Sequence, residues 1–153
     1  MMEEKFMVSI ELSPGRVYMG KIEGNQDLLE VLNGFCLKHH IRLGRIDAIG
    51  SVKRAVVGFY DQQLRHYQLM EIAKSLEILS LTGNISLKEK APFLHAHITL
   101  SDEDGRVVGG HLATGTIVFA CEFIIQEYVG GALNREPDGE TGLPLWAMKR
   151  PSY

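Results

Sequence analysis

Cysteine, basic runs and long apolar runs are all scarce in this sequence, and each scarcity excludes a class of protein. Two cysteines in 153 residues, Cys36 and Cys121, form no Cys-x-x-Cys pair and are too few for a disulfide-dense secreted scaffold. No apolar stretch approaches the roughly 20 residues that cross a bilayer. The start, Met1-Met2-Glu3-Glu4-Lys5, lacks the basic-then-apolar order of a signal peptide. A cytoplasmic location and no membrane partner are therefore expected. Sixteen Lys and Arg face 19 Asp and Glu, a formal net charge of -3. Duplex DNA is gripped largely by neutralising phosphates, and no basic stripe is present for that task. What is there is ordinary: 45% apolar and 23% charged residues, in a length that suits one domain over residues 1–153.

The predicted elements are mostly strands. Phe6, Val8, Ile10 and Leu12 share one parity, as a strand requires, and Ser13-Pro14-Gly15 reads as a turn before a second strand over Val17 to Ile22. Asn25 or Asp27 suits a helix N-cap, and Leu28, Val31, Leu32 and Phe35 recur at helical spacing up to about His39-His40. From Ile46 to Tyr128 the chain is a series of short β-branched and aromatic runs separated by glycine, asparagine or aspartate. Strands in series with short connections favour a mainly antiparallel sheet, so the expected class is α+β with one long helix and few short ones. Residues 130–153 hold Pro137, Pro144 and Pro151 and read as an extended C-terminal tail.

The chemistry concentrates in Leu94-His95-Ala96-His97-Ile98-Thr99-Leu100. Residues two apart on a strand share a face, so His95 and His97 project together while Ala96, Ile98 and Leu100 face the core. The following Ser101 to Arg106 is a strong turn signal. A three-residue loop over Glu103 to Gly105, with Gly105 in the left-handed position, places His97 directly opposite His111. A two-residue turn or a bulge would turn His111 away. Three imidazoles suit zinc, and nickel, copper or iron(II) equally accept imidazole. Three protein ligands leave a coordination position open, which is the habit of catalytic zinc. Against this stands the plain fact that a lone His-x-His is common on surface strands. His39, His40 and His66 show no comparable partnership.

Glu71, Glu77 and Glu122 are candidate carboxylates near such a site, and Glu77 is the candidate catalytic group because it opens an otherwise apolar strand. Arg54, Arg65 or Arg106 would serve to hold an anionic substrate. A metal-dependent hydrolase or lyase on a small carbonyl substrate fits these groups. The competing reading is a non-enzymatic interaction module. Cys36 and Cys121 lie in apolar runs and read as buried structural thiols.

Several blocks together resemble the plants-and-prokaryotes-conserved (PPC) domain family: Ile46-Asp47-Ala48-Ile49-Gly50-Ser51-Val52, the run Glu77 to Ile85, Pro92 to His97, and Asp104 to Leu112. The resemblance covers roughly residues 10 to 130. It implies a mixed domain with a curved, mostly antiparallel sheet, assembled as a homotrimer, and a fold shared with acetolactate decarboxylase and a zinc-dependent ester hydrolase. It also implies zinc ligation by His95, His97 and His111. Plant members carry Arg-Gly-Arg-Pro arms that enter the DNA minor groove. No such arm occurs in this sequence, so DNA is not an expected direct partner, and the alternative to an enzyme is a trimeric DNA-associated or regulatory protein-interaction module.

Overall fold

The computed structural model describes residues 7–148. In chain order they form β1 (Ser13–Ile22), α1 (Leu28–Lys38), β2 (Gly44–Asp61), β3 (His66–Ile72), β4 (Leu76–Lys88), β5 (Ala91–Ser101), β6 (Val107–Leu112), β7 (Ile117–Val129), β8 (Asn134–Pro137) and β9 (Pro144–Trp146). The strands join in one sheet in the order β1-β7-β2-β6-β5-β4-β8-β9, with β3 on β2. Every pairing is antiparallel except β4 with β8.

β2 organises the sheet because it is long enough, at 18 residues, to serve four neighbours. Its first half lies between β4 and β7, and its second half between β3 and β6. The pairings β2–β4, β4–β5, β5–β6 and β6–β2 therefore close a ring. Alternation decides which side is buried: Ile46, Ala48, Val52, Leu81, Ile85, Ala96, Ile98 and Leu100 point inward and form one core with α1. That core buries Leu28, Leu32 and Cys36, four residues apart on one helical face. Both cysteines are buried and unpaired, as expected.

The helix starts where Asp27 caps it: Oδ1 accepts from the Glu30 N–H at 3.1 Å, and Oδ2 accepts from the Gly115 N–H at 2.6 Å. It ends at His39, whose N–H donates to Phe35 O. At 11 residues it is a short helix rather than a long one, and no second helix occurs among the described residues.

Two expectations at the ends of the chain are corrected. Phe6 lies outside the described residues, and residues 7–12 are not a strand despite their alternation; Met7, Val8 and Ile10 stay exposed because no core surface receives them. Ser13-Pro14 opens β1 instead of turning before it. β1 is an edge strand with a register shift after Pro14, so the missing proline N–H breaks no essential ladder bond. At the other end the expected tail is folded in part. β8 and β9 form a hairpin, and β8 adds to β4 in parallel. Residues 149–153 lie outside the described residues.

Candidate metal centre

The β5–β6 turn sets the site. Asp102 Oδ1 accepts from the Asp104 N–H at 3.0 Å and the Arg106 N–H at 2.9 Å, and Lys74 Nζ reaches Oδ2 at 2.8 Å. Gly105 takes φ +76°, the left-handed conformation that glycine adopts without penalty. The loop is thus three residues long and Asp102 pairs with Arg106. The register that follows puts His97 opposite His111. One ring nitrogen from each of His95, His97 and His111 lies within 4.8 Å of the other two. Ring centroids are 5.1–5.7 Å apart.

Glycines allow this crowding. A Cβ on Gly83 would lie 2.4 Å from His95 O and 2.8 Å from the Ala96 Cα, so only glycine lets β4 pass so close to β5. A Cβ on Gly58 would lie 3.0 Å from the Tyr67 ring. Its absence lets Tyr67, on β3, stack on His111 with centroids 4.6 Å apart and planes 28° apart. That stack fixes the imidazole plane.

The electrostatics favour neutral imidazoles. Burial, then the neighbouring His111, Arg135 and His97, push His95 down to about 4. Burial, His97 and Arg135 also lower His111. Neutral imidazole is the form that ligates metals. His111 Nδ1 is buried and has no hydrogen-bond partner among the described residues. A buried nitrogen left unpaired is costly, and metal coordination of the ring or a bridging water would satisfy it. The donor set and its spacing therefore fit a divalent transition metal, held by these three side chains. His95 and His97 border an open cleft of about 460 Å³, whose rim includes Thr82, Asn84 and Trp146.

The carboxylates are not gathered here. Glu77 pairs with Ser101, four residues beyond His97 on β5, which at about 3.3 Å per residue is roughly 13 Å away. Glu122 is exposed on β7, opposite Lys21 and Ile49, and Glu71 pairs with Arg54 at 3.6 Å. The three arginines considered for anion binding are occupied elsewhere: Arg54 with Glu71, Arg65 with Gly139 O at 3.2 Å, and Arg106 with Asp104 at 2.9 Å. Sequence reasoning missed Tyr67 and Arg135. Tyr67 had one readable signal, its alternation parity with Leu69 along β3. Arg135 had none, because its strand follows no apolar pattern.

The sequence profile of the Plants and Prokaryotes Conserved (PCC) domain matches residues 9–129. The bifunctional protein GlmU of Synechococcus sp. (strain JA-3-3Ab) is 31% identical over 129 residues, which is 83% of this chain. The chain spans 20% of that protein's length. A metal-containing protein from Archaeoglobus fulgidus is 39% identical with a TM-score of 0.87, over 92% of this chain and 99% of that one. A PPC protein from Pyrococcus horikoshii is 36% identical with a TM-score of 0.88, over 95% and 100%. The alpha-acetolactate decarboxylase of Bacillus subtilis, 11% identical with a TM-score of 0.53 over 85% and 59%, shares the fold alone. Motif blocks, profile and folds agree, and the chain belongs to the Plants and Prokaryotes Conserved domain family.

Proposed function

We propose that this protein binds zinc through His95, His97 and His111 and acts as a metal-dependent hydrolase or lyase on a small carbonyl substrate. The observation that carries the reading is the cluster of three imidazole nitrogens within 4.8 Å of one another beside an open cleft. The similarity to a metal-containing protein of Archaeoglobus fulgidus supports the metal. A zinc ion so held supplies Lewis-acid polarisation of a carbonyl or a bound water of lowered pKa. The chain's own residues favour the neutral form of His95 and His111, clamp His111 under Tyr67, and keep one side of the site open. A cleft of about 460 Å³ admits a molecule of metabolite size.

Elemental analysis of protein purified without chelators tests this. One zinc per chain is expected, falling to less than about a tenth in His97→Ala with the circular dichroism spectrum unchanged. His97 is exposed, so its loss leaves no core cavity. No metal in the parent chain, or full metal in the variant, would contradict the reading.

The same proposal includes a homotrimer. Met19 is 78% exposed, Phe119 64% and Ile49 57%, on the outer side of β1, β7 and β2, and an apolar face of this kind is what a second copy would cover. Direct duplex DNA binding is not part of it: at a net charge of -3 no gel shift is expected at physiological salt.

A further inference from the structure

Among the described residues two guanidiniums come near the histidines: Arg45 borders the cleft but is paired with Asp47 at 2.9 Å, whereas Arg135 has no acidic partner. It stands on β8, in the stretch where the sequence gives only a tail. Its Nε donates to Ser86 Oγ at 3.0 Å, Nη1 to Pro144 O at 2.9 Å, and Nη2 to Asn84 Oδ1 at 2.7 Å. Its plane lies against Phe93 and Trp146, with centroid distances of 5.6 and 5.4 Å. Asn84 is the direct cross-strand partner of His95, and Phe93 precedes His95 by two residues on β5. Through Asn84 the guanidinium therefore stands one side chain away from His95.

This arrangement lacks a negative group. A guanidinium has five N–H donors, and the three bonds above leave one N–H on each terminal nitrogen. No carboxylate pairs with Arg135 among the described residues, although burial is itself lowering its pKa. The three-histidine cluster contains no carboxylate either. Neutral ligands leave a bound divalent ion's charge uncompensated, and an arginine beside it adds to the excess. Every partner Arg135 does have is a neutral oxygen or an aromatic face. The arginine is anchored for position, and its charge is left for something that arrives from outside.

We propose that Arg135 is the specificity-determining anion group of this site, and that the ligand is a small carboxylate bearing a second oxygen, of the 2-oxo or 2-hydroxy acid class. The identification rests on the metal reading above and names the substrate class for it. The planar fork of Arg matches the two oxygens of a carboxylate, and the adjacency of Asn84 and His95 requires the ligand's two oxygen-bearing groups to be only a few atoms apart. The β8–β9 hairpin thereby becomes part of the binding site. Tyr60 Oη donates to Thr141 O at 2.7 Å, and Trp146 Nε1 to Ser86 Oγ at 3.0 Å, so its turn and its end are both pinned to the body of the sheet.

Calorimetric titration of the full chain with pyruvate, methyl pyruvate and inorganic phosphate tests the assignment. Pyruvate is expected to bind the zinc-loaded parent at least tenfold more tightly than its neutral ester. R135Q should lose at least tenfold of the pyruvate affinity with zinc content intact, and R135K should fall between the two. Ester binding should be the same in all three. Equal affinity of the parent for acid and ester would overturn the proposal without any variant, as would pyruvate affinity retained within twofold in a folded R135Q. Phosphate binding tighter than pyruvate would overturn the carboxylate class. If the parent takes up no zinc, the metal reading fails separately. The metal-free chain then judges Arg135, because pyruvate binding lost in R135Q and partly kept in R135K sustains the anion role and its absence from the parent ends it.

Discussion

His95 is held neutral by burial and by the cationic neighbours it would otherwise join. Its value of about 4 in the folded chain lies below the ordinary 6.5, so the unfolded chain takes up a proton that the folded chain refuses. In metal-free protein this contribution is present above pH 6.5 and is lost as pH falls toward about 4. Thermal denaturation of the metal-free chain should show Tm dropping across that window, with a shallower drop in His95→Gln. Parallel profiles for the two would refute the assignment. Gly83 carries a second expectation. An alanine there meets backbone at 2.4 Å, and relieving it should cost about 1–3 kcal/mol and separate β4 from β5 beside His95. Gly83→Ala should therefore lower both Tm and metal content, whereas Gly131→Ala, with open space around it, should change neither. The three histidines were legible because alternation and a recognisable turn fix their faces without tertiary information. Arg135 was illegible because a parallel pairing with β4, far back in the chain, positions it.

At the scale of elements, Asp27 joins two pieces of structure. Its carboxylate caps α1 and also binds the Gly115 N–H ahead of β7. Asp27→Ala should cost about 1–2 kcal/mol, or several degrees in Tm, while leaving metal content unchanged because α1 packs on the far side of β5 from the histidines. An unchanged Tm would show that water replaces both bonds. The sequence located α1 and the seven strands β1 to β7, with β2 read as two, because their apolar periods are clear. It read residues 7–12 as a strand and Ser13-Pro14-Gly15 as a turn, since local pattern says nothing of which segment finds a pairing partner. It also left β8 and β9 as tail, because strands of four and three residues are too short for a period to show.

For the whole molecule, the ring of pairings through β2, β4, β5 and β6 makes the site depend on long-range closure rather than on any single hairpin. Association should build on the outer face of β1, β7 and the first half of β2, where Met19, Phe119 and Ile49 are exposed. Light scattering should report three chains, and Phe119→Asp should yield one; a monomeric parent chain would remove the homotrimer from the proposal. The most direct test of the central reading is X-ray absorption at the metal edge on protein isolated from metal-replete medium. The expected spectrum is that of zinc with three imidazole nitrogens at about 2.0–2.1 Å and one oxygen as the fourth ligand. A first shell with fewer than three imidazoles, or one dominated by sulfur or carboxylate oxygen, would contradict it.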